Sequence, residues 1–138
     1  MTYLVLAVLA AATVAGLLYR ARYGRLRVSA GDLQRPPLPT GLLPPGAADG
    51  VVLLHFTSAT CAPCRQVKAV CADLVQTLPG VRHVEVDADA HLDAVKSLDI
   101  WRLPTLLIVD RGGRIARRTV GVPDRSELRR TVTEVMAA

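Results

Sequence analysis

Val51-Val52-Leu53-Leu54-His55-Phe56, followed five residues later by Cys61-Ala62-Pro63-Cys64, is the stretch that decides the fold. An apolar run of strand length leads through a short polar loop into a segment whose apolar residues recur at helical spacing, so strand, tight turn and helix follow in order. That order predicts Cys61 at a helix N-terminus, where unpaired N–H groups and the helix dipole favour thiolate over thiol. It also predicts Cys64 one turn inside the helix, close enough to attack a mixed disulfide formed on Cys61. Pro63 suits the opening turn, because the N–H it lacks has no helical partner there. Taken alone, two cysteines at this spacing also fit a zinc ribbon.

Downstream, Leu103-Pro104-Thr105 introduces a second apolar run, Leu106-Leu107-Ile108-Val109, and Asp110-Arg111-Gly112-Gly113 reads as a hairpin turn into 114–120. By these landmarks, the stretch from about Val51 to Val135 resembles the thioredoxin-like proteins. Cys61-Ala62-Pro63-Cys64 falls at their active-site motif, Leu103-Pro104-Thr105 at their cis-proline motif, Gly121 at their late glycine, and Val84-Glu85-Val86-Asp87 at their central strand. The resemblance implies an α/β thioredoxin-like fold, with a central mixed four-stranded sheet and helices on both faces; the apolar run at 1–20 adds one transmembrane helix ahead of it. Strands are expected at 51–57, 81–87, 105–110 and 114–120, and helices at 62–77, 91–98 and 124–136.

It also implies roles. Cys61 and Cys64 form the catalytic, redox-active pair; Cys61 attacks a disulfide in a protein substrate and Cys64 resolves the mixed disulfide. Leu103 and Pro104 bind substrate through the backbone that a cis peptide exposes. Trp101, the only tryptophan, is either a partly buried loop anchor or an apolar platform for substrate beside them. The chain departs from the family pattern at Thr60 and Ala62, which flank the first cysteine. It departs again at His55 and His83, where the family carries a buried Asp and its Lys partner. A neutral imidazole at His55 can act as a proton relay for the resolving thiol near pH 7. No bound cofactor is expected, since the dithiol carries the electrons, but an electron-donating reductase is. The alternative function is a redox-inactive tethered binding or assembly module, with a metal-binding use of the cysteines ranking below it. No metal is expected, because no second cysteine pair or histidine pair completes a site.

The first third of the 138 residues reads differently. From Met1 to Tyr19 there is no charged side chain, and nineteen helical residues reach almost ~30 Å, enough to cross a bilayer. No Lys or Arg precedes this run, whereas Arg20, Arg22, Arg25 and Arg27 follow at once, which predicts an uncleaved single-pass anchor with the domain on the cytoplasmic side. A cleaved signal peptide would carry positive charge before the apolar run. Three units follow: a transmembrane anchor at 1–20, a basic then Pro/Gly-rich linker at 21–46 read as a semi-extended spacer, and the thioredoxin-like domain at 47–138.

The formal net charge of +5 is concentrated in the juxtamembrane segment. From Val51 onward twelve basic residues face ten acidic ones, an ordinary surface without interleaved aromatic residues, and no nucleic-acid partner is expected. Cys71 lies on nearly the same helical face as Cys64 but roughly 10 Å along the axis, too far for a disulfide; it reads as a small buried apolar residue, or else as a regulatory thiol. We expect a monomer.

Overall fold

The computed structural model describes residues 1–46 and 49–138. Helix α1 (Thr2–Arg22) is followed by a short helix α2 (Ala30–Leu33) and a 3-10 turn (Thr40–Leu42). Then come β1 (Val51–Thr57), α3 (Cys64–Thr77), β2 (Val81–Asp87), α4 (Leu92–Ser97), β3 (Thr105–Val109), β4 (Ile115–Val120) and α5 (Arg125–Ala137). The sheet order is β2-β1-β3-β4, with β1 and β2 parallel and the other pairs antiparallel. This is the mixed four-stranded sheet expected from the sequence.

Each element has a local cause. Strand β1 is buried through Phe56 because it is central and covered on both faces, which is why its sequence is a continuous apolar run rather than an alternating one. Helix α3 buries Cys64, Val67, Val70, Cys71 and Leu74, a stripe at helical spacing. The β3–β4 hairpin is closed by the Asp110 carboxylate, which accepts from the N–H groups of Gly112 and Arg114 at 2.9 Å each. Asp124 caps α5 by accepting from the N–H groups of Ser126 and Glu127.

Alternation along β1 divides the core. Val51 and Leu53 face α3 and α5, meeting Val67, Leu74, Leu128 and Val132. Val52, Leu54 and Phe56 face the opposite side, meeting Leu98, Ile100 and Leu38. Helices therefore cover both faces, α3 and α5 on one and α4 on the other.

The stretch from 24 to 46 differs from the free spacer its Pro/Gly content suggests. It runs along the β4 edge, with a bridge between Arg27 and Arg118 and a hydrogen bond from the Leu38 N–H to the Gly113 carbonyl at 2.8 Å. Leu38 is buried in the core, and the buried Asp32 carboxylate takes Nε and Nη2 of Arg118 at 2.9 and 2.7 Å. Proline content excludes helix and interior strand, but it leaves open whether an extended segment packs. Here it packs, and it contributes core.

Helix α1 is exposed along its length and is long and apolar enough to cross a membrane. Its C-terminal end docks on the domain through two glycines with positive φ. At Gly24 (φ +84°) an added Cβ would lie 2.2 Å from the Val122 carbonyl oxygen, and at Gly121 (φ +95°) 2.3 Å from the Tyr23 ring. Only glycine permits either approach.

Candidate active site

Strand β1 delivers the chain to the edge where the cysteines sit. The loop after Thr57 turns through a hydrogen bond from the Cys61 N–H to the Ser58 carbonyl. The next turn is an i→i+3 turn rather than α-helix, with the Cys64 N–H donating to the Cys61 carbonyl at 3.2 Å. Helix α3 therefore starts at Cys64 with Pro63 as its cap, two residues later than the spacing suggests, and Cys61 stands just outside the helix. The two sulfurs are joined in a disulfide, S–S 1.97 Å and Cα–Cα 5.4 Å. Cys64 is buried and Cys61 half-buried, so only the first is open to a large partner.

The pair lies in a cleft of about 390 Å³ whose lining includes Thr60, Arg65, Lys68 and Glu85. Lys68 Nζ and Glu85 Oε2 are 2.7 Å apart, and this hydrogen bond from Lys68 holds the Glu85 carboxyl below the usual carboxylate range. Neither residue stands out in the sequence as part of the site. The signal was present in the strand parity, since His83 and Glu85 share a face of β2 and Glu85 pairs directly with His55.

Beneath α3, His55 is fully buried and stacks on His83 with ring centroids 5.6 Å apart. Among the described residues neither nitrogen of His55 has a hydrogen-bond partner, nor does Nε2 of His83. Burial, followed by the facing His83, pushes the His55 imidazole down to about 4, with Glu85 opposing and Lys68 reinforcing; burial lowers His83 as well. His55 is thus neutral at pH 7. Cys71 is buried and free, its thiol pushed up to about 12 by burial and then by the Glu85 charge, which makes it inert at neutral pH.

A stability prediction follows from His55. Its folded pKa lies below its unfolded value near 6.5, so the unfolded chain binds a proton first as pH falls. The stabilisation is complete above about pH 6.5 and is lost on descending to about pH 4, by roughly 3 kcal/mol for this residue. Chemical denaturation at stepped pH measures it. In His55→Leu that slope becomes shallower, with the share of His83 remaining; an unchanged slope would contradict the assignment.

The second loop of the site leaves the same end of the sheet, because Thr105 at the start of β3 pairs with Phe56 near the end of β1. The Leu103-Pro104 peptide is cis. Pro104 is buried, and its carbonyl accepts from the Gly121 N–H at 2.8 Å. Among the described residues the N–H and C=O of Leu103 make no backbone hydrogen bond, so both remain open to an extended partner. Trp101 is 88% exposed, which removes the reading of a partly buried anchor. Among the described residues no three His, Cys, Asp or Glu side chains gather in a group that could hold an ion.

A family model described as Thioredoxin matches residues 46–134. The H-type thioredoxin of Ricinus communis is 30% identical over 88 residues, 64% of this chain and 73% of its own length. The thioredoxin of Chlamydia trachomatis is 29% identical over 87 residues, covering 63% and 84%. Among solved structures, a mutant thioredoxin from Halobacterium salinarum superposes with a TM-score of 0.63 at 21% identity, over 73% of this chain and 88% of that one. Fasciola hepatica thioredoxin gives 0.57 at 24%, over 64% and 84%.

Proposed function

The chain belongs to the thioredoxin family, whose chemistry is thiol–disulfide exchange, and from that premise we propose that it is a membrane-tethered protein-disulfide reductase working through Cys61 and Cys64. The observation that carries the reading is the Cys61–Cys64 disulfide, with Cys64 buried and Cys61 half-buried, at the sheet end that also carries the Leu103-Pro104 loop.

In the reduced protein, the Cys61 thiolate attacks one sulfur of a substrate disulfide. That bond breaks, the departing substrate thiolate takes a proton, and a mixed disulfide forms. Cys64 then loses its proton and attacks Sγ of Cys61, releasing the second substrate thiolate. Two electrons have passed to the substrate, and the protein is left as the disulfide. An electron-donating reductase must return it to the dithiol. Leu103 and Pro104 hold the substrate backbone, with Trp101 as an exposed apolar platform. No group beyond the two thiols is needed to carry electrons.

His55 serves as a transient proton acceptor for Cys64. Its depressed pKa makes it a relay rather than a store, so the proton must pass on towards solvent past Glu85. In His55→Leu the mixed disulfide accumulates; a variant that resolves at the original rate leaves His55 as a packed core residue.

Helix α1 is the anchor, and Arg20, Arg22, Arg25 and Arg27 after it favour a single-pass arrangement with the domain in the cytoplasm. There, reducing pools favour the dithiol and hence reductase activity. One labelling experiment tests both parts. A membrane-impermeant maleimide applied to intact cells leaves the protein unlabelled, and after lysis at mildly acidic pH it labels Cys61 before Cys64 and Cys71. Labelling in intact cells would move the domain outside, and preference for Cys64 would overturn the thiol roles.

A further inference from the structure

Between the end of α1, the segment 25–29 and the loop before the cis peptide opens a cavity of about 500 Å³. Its cations are Arg22, Arg25, Arg27, Arg102 and Arg118, and among the described residues no Asp or Glu lines it, although Glu127 Oε1 accepts from the Leu26 N–H at 3.3 Å beside it. Arg118 is neutralised by Asp32. Among the described residues the other four form no ion pair. The fold has therefore drawn Arg102, some eighty residues distant in sequence, into a group of like charges at the foot of the apolar helix. Arg102 Nη1 donates to the Tyr19 hydroxyl at 3.1 Å, and Tyr19 stacks on Tyr23 with centroids 5.8 Å apart. Guanidinium groups that outnumber the carboxylates near them repel one another unless an anion sits among them, and their planar forks match phosphate oxygens. Tyrosines at the end of an apolar span are residues of the headgroup layer.

We propose that this cavity binds the phosphate of an anionic phospholipid, held by Arg22, Arg25, Arg27 and Arg102. The inference rests on the reading of α1 as a membrane anchor, which puts the cavity at headgroup depth. Gly121 both packs against Tyr23 and bonds the Pro104 carbonyl, so a lipid bound here seats the substrate loop at the bilayer surface. The disulfides it favours are then those of membrane proteins, close to the membrane plane.

The test uses the full chain in a neutral detergent, titrated with phosphatidylglycerol, phosphatidylcholine or inorganic phosphate, with bound lipid counted by native mass spectrometry. Phosphatidylglycerol is retained in preference to phosphatidylcholine, and Arg25→Ala and Arg27→Ala each weaken retention about fivefold, the double variant about 25-fold. The Arg25→Lys/Arg27→Lys variant keeps the preference, which separates lost charge from lost folding. Equal retention of phosphatidylcholine, or an Ala double variant that binds as the parent does, overturns the site. Inorganic phosphate that displaces the lipid at equal concentration makes the ligand a free anion and overturns the lipid assignment. Alkaline carbonate extraction of the protein from its native membrane is a separate arm: release into the supernatant refutes the anchor, whatever the detergent titration shows.

Discussion

Cys61→Ser reduces a protein disulfide at no more than the background rate, a loss on the order of 10³-fold or greater, because removing a nucleophile removes the whole reaction sequence and not a share of it. Cys64→Ser behaves differently. The first attack needs only the Cys61 thiolate, so that variant reacts once and stops at the mixed disulfide. Cys71 contributes nothing to either step, since its thiol is buried and pushed up to about 12. The assay is turbidity of a reduced insulin-type substrate with a chemical reductant supplying electrons, followed in parallel by gel mobility of the protein without reductant. Residual turnover in Cys61→Ser comparable to the parent would mean that another thiol carries the reaction.

The second large effect is on stability. Asp32→Ala lowers the unfolding free energy by about 3 kcal/mol and the thermal midpoint by roughly 10 °C or more. Asp32 and Arg118 have side-chain exposures of only 4% and 16%, and their contact is a two-pronged charge-assisted pair. Removing the carboxylate leaves a half-buried guanidinium whose remaining partners are the carbonyls of Leu98 and Asp99. Breaking one side of a buried pair costs far more than the pair itself contributes. Calorimetry of the parent and variant measures the shift. A change within a degree or two would return residues 24–46 to the status of a spacer, detached from the domain's cooperative unit.

How much of this was legible in the chain depends on whether the cause is local. Strands β1 and β3 announce themselves through apolar runs, and β4 through the hairpin turn made by Asp110 and the glycines after it. The cysteine pair and Leu103-Pro104-Thr105 are contiguous motifs, so the two loops of the site could be named before their shared sheet end was known. Asp32 and Arg118 stand 86 positions apart, and nothing in either neighbourhood marks the other. Leu38 lies among prolines, a composition that describes backbone stiffness and says nothing of what the segment touches. Helix α3 starts at Cys64, later than its sequence suggests, because an i→i+3 turn and a helical turn share their sequence preferences. Lys68 and Glu85 are each an ordinary surface charge alone, and they acquire meaning only once α3 lies across β2. His55 stands in the sequence as a departure from the family pattern. Its stacking on His83 and its lack of any hydrogen-bond partner required the packed structure.

The central claim, that Cys61 forms the covalent link to substrate and Cys64 breaks it, is tested most directly by intact mass. In Cys64→Ser/Cys71→Ala only the Cys61 thiol remains. Incubated with a disulfide-bonded protein substrate and quenched in acid, this variant should gain the mass of one substrate chain, mapped by peptide analysis to Cys61 and removed by dithiothreitol. The parent under the same conditions should show the Cys61–Cys64 disulfide and no adduct. An unmodified mass in the double variant, or an equally abundant adduct in the parent, would contradict the account.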